Sequence, residues 1–507
     1  MLDTTTAITL SIFMVTLVFL LWRPWGMNES IPPAIGAAII LLAGIVPFSD
    51  MALIYKTVSG AIITIISTIV MSIVLDSIGF FRWTAYNLVV RAKGSGKRLY
   101  WYVTLLCFLM TLFFNNDGSI LITTPIIIYI TTLLDLNMRQ KLPYLVSGAL
   151  VATASSAPIG VSNLANLIAM KIVGLDLNSY AVLMFVPAMV GIGSISLMLY
   201  FYFRKDIPRE IRQVSTDNTS PSYLKVPRAY YDANTVTRMV QDREVRKKLP
   251  PQHRSPSTPH SSKEEYRTPP PSHLAERRHG GPLKASANDD LGIQETVDWR
   301  LFRISIGIVI LIRLGFFVGS SLGISIEWIA ITGALLLIAL RWYFTGRGVK
   351  DLLKKTPWHT LLFAFSIYVV VYALHNVGMT AWMVNQLKGI MTQSEFHTVM
   401  GFGLLLTIMS TLLNNLPSVM IGTLALTEMG LDTHSLQIAY LANIIGSDIG
   451  SLITPMGTLA SLMWMFILRK NNLKITWTQY IKITIVIIPL GLIISLLSLY
   501  VWIRIIR

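Results

Sequence analysis

Long apolar runs broken by short polar stretches dominate the chain, and the runs are too long and too uniform for the one-sided helices of a soluble protein. Residues 61–75, 180–203 and 481–503 are stretches of this kind, where a membrane span needs roughly 20 apolar residues. Such runs predict helices, because lipid offers no partner for a free backbone N–H or C=O. The first run, Ala7 to Trp22, lacks a basic leader and a small-residue cleavage pattern, so it reads as a retained span. From residue 204 to about residue 298 the pattern stops. That stretch is crowded with Pro, Ser, Arg and Glu, as in Pro269-Pro270-Pro271 and Arg243 to Lys248. It buries too little apolar surface to offset its chain entropy and predicts a disordered basic loop on the cytoplasmic side. Residues 1–203 and 299–507 are then a first and a second membrane repeat.

Polar breaks inside the apolar runs come in matched pairs. Phe113 to Gly118 reads Phe-Phe-Asn-Asn-Asp-Gly, and about 300 residues later Leu412 to Pro417 reads Leu-Leu-Asn-Asn-Leu-Pro. A second pair follows in the same order: Pro158-Ile159-Gly160 and Pro455-Met456-Gly457, each leading into a related segment. There Ser162-Asn163-Leu164-Ala165-Asn166-Leu167 lines up with Gly457-Thr458-Leu459-Ala460-Ser461-Leu462. Polar, helix-breaking sequence persists in hydrocarbon only where protein encloses it. Each Asn pair predicts the tip of a re-entrant hairpin, and each Pro-x-Gly break a helix interrupted in mid-membrane, leaving backbone groups free to hold a ligand. Five crossings plus one hairpin in each half is an odd number, so the second half runs inverted. The expectation is an all-α polytopic membrane protein of two inverted repeats, the plan of alternating-access transporters.

Composition changes this picture little. Hydrophobic residues make up 53% and charged residues 13% of the 507-residue chain, against about 25% charged in soluble domains. The net charge of +16 suggests nucleic acid at first sight. Its basic residues instead fall in clusters between apolar runs, around Arg91, Arg139, Arg204, Arg347 and Arg469, which the positive-inside rule assigns to the cytoplasm. That assignment puts the amino terminus outside and leaves no reason to expect a nucleic-acid partner. The single cysteine, Cys107, excludes an internal disulfide and any multi-cysteine metal site. No P-loop or His-rich metal pattern occurs, so no cofactor, metal or enzymatic step is expected, and transport would draw on an ion gradient or a separate motor subunit.

Candidate chemistry lies at the breaks. Asp117 at the first hairpin tip and Asp448 in Ile445-Gly446-Ser447-Asp448-Ile449-Gly450 are acids inside apolar surroundings, where the default reading is functional. Either could take and release a proton during transport, or could simply accept backbone N–H groups at a broken helix end. Asn115, Asn116, Ser162, Asn163, Asn414, Asn415 and Thr458 supply donors and acceptors suited to a neutral hydroxylated solute, or could cap their own hairpins. Arg313 and Glu327 could pair, and His375 reads as a packing or interfacial histidine.

At these residues the chain resembles the arsenical efflux permeases, the ArsB family of the ion transporter superfamily. The resemblance is carried by Leu75 to Phe81, Asn116 to Pro125, Val161 to Asn166, Tyr202 to Pro208, Asn414 to Val419, Asn443 to Gly450 and Ile453 to Ala460. It covers essentially the whole membrane portion. It implies export of arsenite and antimonite across the bacterial plasma (inner) membrane in exchange for protons, and, in some members, association with a cytoplasmic ATPase subunit. The long insert after Pro208 departs from the family's shorter loop, and puts the ATPase partner in doubt. Thiolates would hold trivalent arsenic too tightly for turnover, so a site built without a thiol cluster suits a pump. A sodium–proton or anion transporter on the same scaffold is the nearest rival, and a membrane receptor or scaffold is a more distant one.

Overall fold

Apolar runs this long have one way to satisfy their backbone, and every regular element among the described residues is helical. The computed structural model describes residues 3–24, 27–212, 298–391 and 393–506. The greater part of the expected cytoplasmic loop, residues 213–297, lies outside them. Its first residues do not. Asp206 pairs with Arg139 and the Ile211 N–H bonds the Gly94 carbonyl, so 204–212 pack back onto the first half of the chain.

The first half is α1 (Thr4–Trp22), α2 (Ile31–Leu42), α3 (Phe48–Ser77), α4 (Phe80–Ala92), α5 (Gly96–Phe113), α6 (Asn116–Leu133), α7 (Met138–Ala154), α8 (Leu164–Val173) and α9 (Leu177–Phe203). The second is α10 (Trp299–Ser321), α11 (Ile326–Thr345), α12 (Lys350–Lys355), α13 (Trp358–Asn376), α14 (Met379–Met391), α15 (Glu395–Leu413), α16 (Asn415–Glu428), α17 (Thr433–Asp448), α18 (Leu459–Lys470) and α19 (Trp477–Ile506). Nine elements of 19 to 30 residues are long and apolar enough to cross a membrane among the described residues. Helix α2, with 12 residues, reaches only about 18 Å of a roughly 30 Å hydrocarbon core.

Each half contains one tight reversal and one interrupted helix at the expected places. The chain reverses at Phe114 and Asn115 between α5 and α6, and at Asn414 between α15 and α16. Helix α7 breaks into a short 3-10 turn, Gly160–Ser162, before α8 resumes; α17 does the same through Gly450–Ile453 before α18. The halves then pack reciprocally. Hairpin arm α6 lies on α18 while arm α16 lies on α8; α3 lies on α11 while α2 lies on α13. The long helices α9 and α19 pack against each other, and small residues let them approach: Gly191 faces Ser495 and Gly491 faces Ile195. Ser495 also donates to the Pro187 carbonyl at 3.0 Å. Outer faces of α9 and α19 carry exposed Val182, Phe185, Val190, Val486, Leu490 and Val501, an apolar girdle that only lipid covers well.

Candidate functional site

Two reversing elbows and two interrupted helices converge on one cavity of about 30 Å³. Asn116 and Asp117 come from the first elbow, Asn163 and Leu164 from the first break, and Asn414, Asn415 and Leu416 from the second elbow. Leu459 from the second break completes the set, with Thr360 and Phe363 from α13 closing it. A space of this size takes about two waters, so it suits a cargo of few atoms.

Local chemistry explains why the elbows hold their shape. Asn115 Oδ1 accepts from the Gly118 N–H at 2.8 Å, capping α6 where the hairpin frees its first donors. Asn414 sits at φ 82°, a conformation that strains most side chains. Its side chain donates to the Met456 carbonyl at 3.0 Å, and the Asn415 N–H bonds the Gly457 carbonyl at 2.8 Å. The second elbow is thus tied to the broken helix of its own half. The first is tied across the halves instead: Arg313 of α10, buried, donates to the carbonyls of Phe113 and Phe114 at the end of α5. That end is where a helix presents unpaired carbonyls and negative partial charge. Arg313 therefore spends its donors on the hairpin rather than on Glu327.

The nine residues singled out by sequence divide into two groups. Asn116, Asp117, Asn163, Asn414 and Asn415 line the cavity. Asn115, Ser162, Thr458 and Asp448 do not. Thr458 caps α18, accepting from the Ser461 N–H at 2.9 Å. Ser162 Oγ is buried without a hydrogen-bond partner, as is Asn116 Oδ1 at the cavity wall.

Asp448, 1% exposed, sits at the seam between the halves. Its two oxygens accept three side-chain donors, all from the first half: Ser156 Oγ at 2.9 Å, Asn163 Nδ2 at 2.9 Å and Asn166 Nδ2 at 2.7 Å. A carboxylate only accepts, so both amides must turn their nitrogens toward it. Asn163 links this seam to the cavity, because it also lines the cavity while its Oδ1 caps α8 through the Ala165 N–H. Tyr440 completes the seam by donating to the Asn166 carbonyl at 3.0 Å.

Sequence reading passed over Ser156, Asn166, Thr360 and Phe363. Ser156 and Asn166 were findable as polar residues in the first interrupted helix. Thr360 and Phe363 carry no such mark, since they lie in an ordinary apolar helix. His375 pairs with Glu428 at 2.8 Å at the far end of α13, half-buried, as an interfacial histidine would.

The citrate transporter family model matches residues 17–446. The chain belongs to that family. Over 97% of its length it is 41% identical to a "Putative arsenical pump membrane protein" of Bacillus subtilis (strain 168), covering 98% of that relative. An arsenical pump membrane protein of Escherichia coli is 28% identical across 94% of each chain. The resemblance carried by the Asn-Asn and Pro-x-Gly motifs thus extends along almost the whole sequence. Among solved structures, the Alcanivorax borkumensis YdaH transporter covers 99% of each chain at 12% identity and a TM-score of 0.46. Family membership and the nine apolar helices make this a multi-pass membrane transporter of the bacterial inner membrane.

Proposed function

We propose that the protein exports arsenite and antimonite from the cytoplasm in exchange for protons. One observation carries the reading: the cavity between the elbows offers amides and a single carboxylate, Asp117, and its lining holds neither a thiol nor a cation. Arsenite and antimonite at neutral pH are small uncharged trihydroxides, which amide groups bind through both donors and acceptors. Asn116, Asn163, Asn414 and Asn415 are the contacts, with Asn115, Ser162 and Thr458 shaping the backbone that presents them. Relatives named arsenical pump membrane proteins support the same cargo.

Asp117 and Asp448 divide the acid chemistry. Asp117 faces the cavity and carries the proton, so protonation and cargo occupancy compete at one place. Asp448 faces the seam instead, where it accepts three side-chain donors from the first half. It acts as the lock between halves, coupling movement rather than carrying the proton. Reciprocal packing of the halves supports an inverted repeat that rocks around the site. The basic residues flanking α5, α6 and the start of the insert put the first hairpin's open end and the insert in the cytoplasm, and the amino terminus outside. A cytoplasmic ATPase subunit, if one joins, meets the protein on that side.

The family match favours one rival, transport of an anion such as citrate. Asp117 counts against it, because a carboxylate facing a polyanion in a low-dielectric cavity repels it. Flux into proteoliposomes under an imposed pH gradient tests both readings. Arsenite should follow the gradient, stop with a protonophore and ignore added citrate. Gradient-independent arsenite flux, or citrate flux in its place, overturns the proposal.

A further inference from the structure

The cavity end of α13 carries a second set of titratable groups. His359 directly precedes Thr360, which lines the cavity. Its Nε2 lies 3.2 Å from Glu29 Oε1, and Arg23 Nη1 lies 3.5 Å from Glu29 Oε2. Exposure falls along the series: the His359 side chain is 38% exposed and that of Glu29 10%. Glu29 also stands close enough to Asp117 for the two carboxylates to repel. The set therefore runs from the surface to the cavity acid.

Roles within the set follow from charge. Burial by itself pushes the Glu29 carboxyl up, but the His359 hydrogen bond and the Arg23 charge outweigh it and hold it below the usual range. Glu29 stays ionised at neutral pH as an anchor. The proton-accepting member is the imidazole, which can take a proton on Nδ1 while Nε2 faces Glu29 Oε1. Charged groups facing this point are Arg23 at the end of α1, Glu29 between α1 and α2, and Asp117 at the start of α6. Of the other helices packed on α13, α16 brings Glu428 to His375 and α3 brings Asp50 near Tyr372, both at its far end, while α3 also carries the buried Asp76 near its own end. The basic run Lys350 to Lys355 just before α13 marks the His359 end as cytoplasmic.

We propose that His359 is the cytoplasmic proton acceptor for Asp117, with Glu29 and Arg23 as its positioning residues. In the state open to the cytoplasm, the Asp117 proton crosses the cavity to the imidazole. That leaves a carboxylate at Asp117 and an imidazolium paired with Glu29, which then releases its proton to the cytoplasm. The inference rests on the proton-exchange reading above.

Everted vesicles expose this face to the medium and test it. With wild-type protein, arsenite uptake must first follow an imposed pH gradient; if it does not, the exchange reading falls and this inference with it. Given coupling, His359→Ala and His359→Gln should slow uptake at saturating arsenite by about tenfold or more with KM unchanged. Imidazole in the medium should restore the Ala variant, and Glu29→Gln should move the pH profile of uptake toward lower pH. Wild-type rates in both His359 variants, or a slowed Ala variant that imidazole leaves slow, would remove His359 from the proton path while leaving proton exchange intact.

Discussion

The two elbows share a sequence, but their surroundings set them different tasks. The first places an acid directly after Asn115-Asn116 and is held from outside its own half by Arg313. The second places Leu416 at the corresponding position and is held from within, by the Met456 and Gly457 carbonyls of its own broken helix. Repetition thus supplies a frame with matched openings, and departure from repetition supplies the chemistry. A cavity lined by two identical acidic tips would hold two repelling carboxylates. One acid and one apolar neighbour leave a single carboxylate at the cavity.

The strongest way to break this comparison is to move the acid. Asp117→Asn should abolish gradient-driven arsenite uptake while the protein accumulates normally in the membrane. Adding Leu416→Asp to that variant should not restore it, since the His359–Glu29 pair stands beside Asp117 of the first elbow. Restored coupling, read in the same vesicle assay, would make the elbows interchangeable and remove the asymmetry argued here.

Next in size is a contrast between the two Pro-x-Gly breaks. A Cβ on Gly457 would overlap the Ser451 backbone carbonyl, which has no room to yield. On Gly160 it would meet Met170 Sδ at 3.3 Å, the flexible part of a side chain. Gly457→Ala should therefore cut the yield of folded protein several-fold, and Gly160→Ala should leave it near wild type. Size-exclusion profiles in detergent give the comparison, and equal yields would deny that the second break is the tighter one.

A smaller loss is expected at the seam. Asp448→Asn sets an amide nitrogen against Ser156, Asn163 and Asn166, where hydrogen bonds to a charged group contribute about 1.5–3 kcal/mol each. The melting temperature in detergent should fall by several degrees, and by more than in Asp117→Asn, because Asp117 faces the cavity rather than three side-chain donors. A melting temperature unchanged by Asp448→Asn, together with lost coupling, would return Asp448 to the role of proton carrier.

The smallest effect lies outside the spans, at α12. Burial pushes the Asp351 carboxyl up, but the hydrogen bond and charge of Arg341 together more than offset it and hold it below the usual range. A lowered folded value stabilises above the ordinary carboxylate range and is lost as pH falls through the folded value. Wild type should lose more stability than Asp351→Asn between about pH 4 and pH 2. Parallel acid titrations of the two proteins would show no such contribution.

Much of the architecture was legible before any coordinates. Uniform apolar runs announce helices, since lipid forbids other open structures, and paired Asn at matched positions announced both hairpins. Legibility failed where a residue's meaning depends on a partner far along the chain. Thr360 and Phe363 look like any residues of an apolar helix, and only α13 packing beside both elbows makes them cavity wall. Ser156 carries no mark of its partner, and only the fold shows that Asp448, 292 residues away, accepts its hydrogen bond. Asn115 and Thr458 could have bound cargo or capped a helix, and the direction of their side chains decided for the cap.

By itself, the sequence determined the membrane setting, the two halves, the order of devices within each and the acids worth suspecting. Hydropathy and helix-breaking are local properties, written in neighbouring residues. Only the tertiary structure decided which acid faces the cavity and which is sealed in the seam. That choice depends on how two halves separated by an insert come together, and a desolvated carboxylate takes its role from the donors that reach it.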